Sequence, residues 1–552
     1  MKEITSPSYL TSFIMEEIQN EPLLSSKDIG SHKEVKPKRW FYWFAALCVG
    51  IGLVVGTTIG YISFHKTTST TQTTIDTTTV GSSNGLNTDF NSLTIYQIMV
   101  SSFQGDGSSC YCTGYGPSSH RGNLKGIINA LDYIKGLNVN AIWLTPVFDS
   151  TGGTGGSLLQ STGYFATDYF NVDPKFGSNN DLRNLIKGCH DRGMYIFLDG
   201  VFGHHGGNVK GSPSGKYPQG GSNPVSYPGS LDFYKEVATY WIREYEIDGW
   251  RLDQCYQVYQ NGHNYWHEIR EAVQSVCNER KSQGKQWGTL GYMVGEHWSG
   301  ASEIQSQTYS QDGLKSAFDF PSRYNLVQVI AQEESGAGGY GVGTLTNIFK
   351  SPSEKGYSSD VYPNLFITNH DVWRFGNLIR NKYGYDRSNP SYWKRYKIAL
   401  GCLAAYTGPI TIYYGDEVGD IADCWQSYGC GGNTAGDNVA RTDGHISGFN
   451  NNEQDLHDYT AKIMNIRQNY PAMWRGSNSV STKDGALINV KWDSQTQTKI
   501  VFVVNTGTMP TTVYVNCGGS YFKDLISGQQ YSGNGGFNLN CDPLTCYIFE
   551  AK

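Results

Sequence analysis

The chain has 552 residues, too many for one small domain and enough for a large core. Its formal net charge is −6, which leaves no basic field to draw nucleic acid and excludes that class of partner. Glycine (66), tyrosine (38) and tryptophan (13) are plentiful, which suits a loop-rich fold with aromatic surfaces, although aromatic side chains more often fill cores.

In chain order, residues 1–39 read as a polar tail ending in Lys33, Lys36, Lys38 and Arg39. Residues 40–64, WFYWFAALCVGIGLVVGTTIGYISF, contain no charge and are long enough to cross a bilayer as a helix with aromatic residues at both ends. Lysine and arginine lie mostly before this run, so it predicts a signal-anchor: a single-pass type II membrane protein with its bulk extracellular or lumenal. Residues 65–90 include TTSTTQTTIDTTT, which cannot build a core and reads as a stalk.

From about residue 91, short β-rich runs alternate with helical patterns. The expected strands are 95–100, 141–144, 194–199, 249–253, 292–296, 365–368 and 410–414, with helices such as 124–135 and 231–245 between them. This alternation predicts an α/β fold with a parallel sheet, and over 91–475 a closed (β/α)8 TIM barrel is favoured over an open sheet. Residues 476–552 switch to alternating strands (500–505, 511–515, 547–549) and predict a small C-terminal antiparallel β-sandwich. There are 12 cysteines. With the bulk of the chain outside the cytoplasm, several disulfides are expected. Cys110 and Cys112 are too close for an ordinary metal site, Cys424 and Cys430 suit a short loop, and Cys517, Cys541 and Cys546 cluster late.

Several expected strands end on reactive residues: Asp199 with His204 after it, Arg251 and Asp253 in GWRLD, Glu296 in YMVGE, His370 and Asp371 in LFITNHD. On a (β/α)8 barrel, strand C-termini converge on one pocket, so these carboxylates are candidates for a shared site. Singly, each is as well explained as a helix cap or surface pair.

In this order, IYQIMVSSF, LNVNAIWLTPVF, GYFATDYFNVDPKFGS, LDGVFGHH, DGWRLDQ, VGEHW, FITNHD and GPITIYYGDEVG resemble the α-amylase family of glycoside hydrolases from about Ile95 to Trp474. The resemblance implies a retaining α-glycosidase acting on an α-glucan or oligosaccharide. By it, Asp253 is the nucleophile, Glu296 the general acid and base, and Asp371 the group that grips the distorted sugar. It also implies that Arg251 orients Asp253, that His204 and His370 bind sugar hydroxyls, that Tyr164 stacks on the sugar and that Asp199 braces Arg251.

The chain departs from the family pattern at three places. Gly203 stands where an asparagine usually ligates calcium, so the usual calcium site is expected to be degraded and the metal is left unassigned. Tyr256-Gln257 replace a Lys-His pair that helps endo-acting members bind sugar, and Thr162 replaces a histidine. Tyr256 and the short stretch between His204 and Asp253, which leaves only a reduced B region, keep a second reading open, an exo-acting α-glucosidase or a sucrose- or trehalose-acting transglycosidase. A third reading is a non-enzymatic heavy subunit of an amino-acid transporter. The complete carboxylate set opposes it, as does the lack of cysteine between Cys48 and Cys110.

Overall fold

The computed structural model describes residues 86–423 and 440–552. Eight parallel strands form one sheet: β1 (Thr94–Ile98), β2 (Ala141–Leu144), β3 (Tyr195–Gly200), β4 (Gly249–Leu252), β5 (Tyr292–Gly295), β6 (Ser316–Ala317), β7 (Leu365–Phe366) and β8 (Ile410–Tyr413). The order across the sheet is β6-β5-β4-β3-β2-β1-β8-β7. The sheet curls until its end strands meet, where Asn364 N–H donates to Ala317 O and Asp319 N–H donates to Asn364 O, both at 2.8 Å. Seven of the eight strands coincide with those expected; β6 was not foreseen.

The strands alternate with period two, and the two faces are apolar for different partners. Ile95, Trp143, Tyr195, Phe197, Tyr292, Val294, Phe318 and Phe366 form one cluster inside the curl. Ile98, Ile142, Leu144, Ile196, Leu198 and Trp250 face outward into the main core, against the helices. Helix Asn179–Asp191 shows why these segments are helical: Ser178 and Asp181 form a capping box, and Leu182, Leu185, Ile186 and Cys189 bury one face. Helix Leu231–Tyr245 precedes β4, and no helix or named strand lies between Gly200 and Leu231.

The C-terminal part is antiparallel. A six-stranded sheet contains β9 (Ser477–Lys483), β10 (Ala486–Asp493), β11 (Thr498–Asn505), β13 (Tyr521–Asp524), β14 (Gln530–Ser532) and β16 (Thr545–Ala551). β12 (Thr511–Asn516) pairs with β15 (Gly536–Cys541) in a second layer. Val501, Val503 and Phe549 pack between the layers with Val513, Val515, Phe537 and Leu539. On the other face, Ile500, Phe502, Val504 and Ile548 join the main core.

Two expectations need correction or placing. The membrane span at 40–64, with the tail and nearly all of the stalk, lies outside the described residues; among those described, no helix is long and apolar enough to cross a membrane. Among the same residues a single disulfide forms, Cys110–Cys112, while Cys517, Cys541 and Cys546 are free and buried. The late cluster is split by the sheet, since Cys517 and Cys541 lie between the two layers and Cys546 faces the main core. Cys424 and Cys430 are outside the described residues.

Candidate active site

The strand alternation that fills the barrel also builds the site. Gln97 and Asp199 each follow an inward residue by two positions, Ile95 and Phe197. Glu296 follows inward Val294, and Thr368 and His370 continue from inward Phe366. Arg251 lies on β4, and Asp253 is two residues further along. The polar residues are therefore the inward positions above the last apolar layer, at the C-terminal strand ends.

Arg251 is 1% exposed and joins three carboxyl groups. Its Nη1 donates to Asp253 Oδ1 at 2.8 Å and to Asp199 Oδ1 and Oδ2 at 2.9 and 3.0 Å. Its Nη2 lies 3.4 Å from Glu296 Oε2. Glu296 Oε2 also accepts from the backbone N–H of Gln254 at 2.9 Å. Asp199 accepts further from Trp143 Nε1 at 3.1 Å and from the Tyr164 hydroxyl at 2.9 Å. It faces donors throughout, as a brace for Arg251 requires.

On the other wall, Tyr164 and His370 lie with rings 3° from parallel and centroids 5.5 Å apart. The Tyr164 hydroxyl is 2.7 Å from His370 Nε2. Gln97 Nε2 meets His370 Nδ1 at 2.8 Å, and His370 Nε2 is 3.1 Å from Asp371 Oδ2. With Gln97 donating, His370 carries its proton on Nε2 and points it at Tyr164 and Asp371. Asp371 is also held by Arg441, whose Nη2 donates to Oδ1 at 2.8 Å while its Nε donates to the His370 carbonyl at 3.0 Å. His204 Nε2 stands 3.7 Å from Asp253 Oδ2. All eight residues predicted for the site thus fall in one constellation.

Burial sets the charge states. It pushes Glu296 up to about 7, with Arg251 opposing and Asp253 and Asp371 adding to the rise. It pushes Asp253 up to about 6, with Arg251, which donates to that carboxylate directly, opposing and Asp371 adding to the rise. Of the two, Glu296 holds the proton to higher pH. Burial would raise Asp371 too, but His370, Arg441 and Arg251 outweigh it and hold the carboxyl below its usual range. Burial lowers His204 to about 4 and His370 to about 3, so both rings are neutral near pH 7.

Four participants escaped sequence reading. Gln97 and Trp143 left a weak signal, a polar group within a buried strand, which a period-two reading can find. Arg441 lies outside every expected strand and helix and left none. The Gln254 N–H is a backbone group, invisible to side-chain pattern. At position 203, a Cβ would lie 2.1 Å from Gln257 Oε1 and 2.5 Å from Gln257 Cβ. The residues present therefore do not fit an ion held by a side chain from that position. Asp106, in the loop after β1, accepts from Ser108 N–H at 2.9 Å and Asn123 Nδ2 at 2.8 Å within a turn.

Comparison with known proteins agrees with this geometry. A family model described as "Alpha amylase, catalytic domain" matches residues 70–213 and 231–501. A cyclomaltodextrinase from Thermoanaerobacter pseudethanolicus is 30% identical over 336 residues, 55% of this chain and 51% of the relative. An intracellular maltogenic amylase from Bacillus subtilis is 28% identical over 327 residues, 54% of this chain and 49% of the relative. The chain spans about half the length of these two relatives. The solved structure of AmyP in complex with maltose has a TM-score of 0.77 at 38% identity, covering 84% of this chain and 96% of that one. The relative named for its location is intracellular, which overturns the expected placement as a type II membrane protein with an extracellular or lumenal barrel. The non-enzymatic transporter reading falls with the same matches, because these relatives are enzymes. With the family model covering most of the barrel and the carboxylates gathered on Arg251, the chain belongs to the α-amylase family of glycoside hydrolases and is an enzyme.

Proposed function

We propose that this enzyme is a retaining α-glycosidase that hydrolyses α-1,4 bonds of maltooligosaccharides or larger glucans through a covalent glycosyl-enzyme. The observation that carries the reading is the pair of buried carboxyls on one guanidinium, Asp253 taking its hydrogen bond directly and Glu296 standing 3.4 Å from it. Glu296 gives its proton to the glycosidic oxygen as that bond breaks, and Asp253 Oδ attacks the anomeric carbon from the other side. Glu296, now ionised, takes a proton from water, whose oxygen displaces Asp253 and retains the configuration. Two carboxyls in that role stand about 5–5.5 Å apart, a span that one shared guanidinium suits. Asp371, kept ionised by Arg441, accepts hydroxyl protons of the distorted ring, while Tyr164 offers it a ring face. Two AmyP structures, described with maltose and with maltotriose, support this substrate class.

The test is trapping. A fluorinated glycosyl fluoride should leave a mass adduct on the peptide containing Asp253, and Asp253→Asn should lower kcat on maltoheptaose by roughly ten-thousand-fold. An adduct elsewhere, or no turnover by the wild type, sinks the reading.

A second reading, exo-action, draws on Arg441, which closes on Asp371, and on Tyr256, which stands where the endo-type lysine is expected. Glucose alone as the first product from maltoheptaose decides for it; mixed shorter oligosaccharides decide for endo-cleavage.

A further inference from the structure

Gln257 makes contacts in two directions across the floor of the site. Its Oε1 lies 2.9 Å from His204 Nδ1, and its Nε2 donates to Asn223 Oδ1 at 3.0 Å and Gln254 Oε1 at 3.2 Å. Both partners of the amide nitrogen are acceptors, which fixes the orientation of the amide. The proton between Gln257 and His204 therefore belongs to Nδ1, on the side of the ring away from Nε2, which stands 3.7 Å from Asp253 Oδ2. Gln254 Oε1 also accepts from the Tyr256 hydroxyl at 2.9 Å. This second hold matters because Gln254 is in the left-handed region, φ 38°, ψ 52°, which a residue with a side chain adopts only when its surroundings impose it. In that conformation its N–H reaches Glu296.

Gly203 completes the arrangement. Gln257 approaches so closely that no side chain fits at 203. We propose that Gln257 is a positioning residue: it ties His204, beside Asp253, to Gln254, whose N–H holds Glu296, in the space an ion held from position 203 would need. The site is braced by side-chain amides at that point, and its geometry does not depend on calcium there. The kinetic part of this inference rests on the glycosidase reading; the tautomer of His204 does not.

The experiment compares wild type, Gln257→Met and Gln257→Glu, with EDTA or with added calcium chloride. Methionine keeps the length and loses both sets of hydrogen bonds. Glutamate keeps the acceptor toward His204 and loses the donor. Gln257→Met is expected to lose kcat about tenfold or more with KM within about threefold, as slight misplacement of reacting groups does. Its Tm should stay within about 2 °C of wild type, and calcium should restore nothing. Gln257→Glu should recover part of kcat. EDTA should leave the Tm and kcat of the wild type unchanged. Selective 15N-histidine NMR should show the wild-type His204 proton on Nδ1, and a mixture of tautomers in Gln257→Met. Wild-type kcat in Gln257→Met, a calcium-restored loss of Tm in wild type, or a His204 proton on Nε2 overturns the proposal. If the wild type turns over no α-glucoside, the glycosidase reading alone fails, and the NMR tautomer decides the role of Gln257.

Discussion

Arg251 holds Asp199, Asp253 and Glu296 on a single buried side chain, and the pH behaviour of the enzyme follows from how it divides its attention. In the proposed mechanism Asp253 must be ionised to attack, so kcat/KM should fall as pH drops below about 6. In the same mechanism Glu296 must be protonated to donate, so kcat/KM should also fall as pH rises above about 7. The two groups interact, so the limbs of this bell belong to the pair. Initial rates across the acid and alkaline range check it; a flat profile through pH 7 refutes it. Stability carries the opposite mark of the same group. The folded value of Glu296 is raised above its ordinary one, so its contribution is complete below about 4.5 and is lost as pH rises through about 7. Glu296→Gln removes that loss, so its Tm relative to wild type should rise between pH 5 and pH 8, by about 2 °C. Calorimetry at the two pH values decides.

At the scale of elements, the barrel strands were legible because they are apolar runs that end on polar residues, and period two put the right side chains inward. β6 was not legible: Ser316–Ala317 is two small residues, and backbone bonds to Gly295 and Asn364 define it rather than any pattern. Arg441 stayed hidden for a related reason, since it reaches Asp371 from a loop whose position only the fold sets. Among the described residues only Cys110 and Cys112 pair, because cysteine count says nothing about which face of a strand each cysteine takes. Loops also impose their own limits on the site. Gly163 has φ +80°, and a Cβ there would lie 2.2 Å from the Pro146 carbonyl oxygen. Gly163→Ala should therefore shift Tyr164 off His370, cost roughly 1–3 kcal/mol and raise KM. Urea unfolding with parallel kinetics tests this, and an unchanged midpoint counts against it.

At the scale of the molecule, the C-terminal sheet is not an appendage. One face, with Ile500, Phe502, Val504 and Ile548, belongs to the same core as the barrel helices. Lys491 is fully buried there, its ammonium group donating to Thr407 Oγ1 at 2.6 Å and Asn478 Oδ1 at 2.7 Å, and burial pulls its pKa well below the usual lysine range. Barrel and sheet should unfold in one transition, and removal of residues 477–552 should yield a chain without cooperative unfolding, because that apolar face is left bare. A truncated barrel melting sharply on its own would contradict this.

The sharing of one guanidinium among three acids bears also on how such a pocket changes over evolutionary time. Arg251 acts on all three acids and Asp253 raises both Asp199 and Glu296, so a replacement at Arg251 or Asp253 alters the remaining groups before a new specificity is gained. Divergence is then confined to segments of the cavity that lie off this hub. Substrate preference can drift through those segments while the acids that the proposed mechanism uses stay locked in place by their common counter-ion.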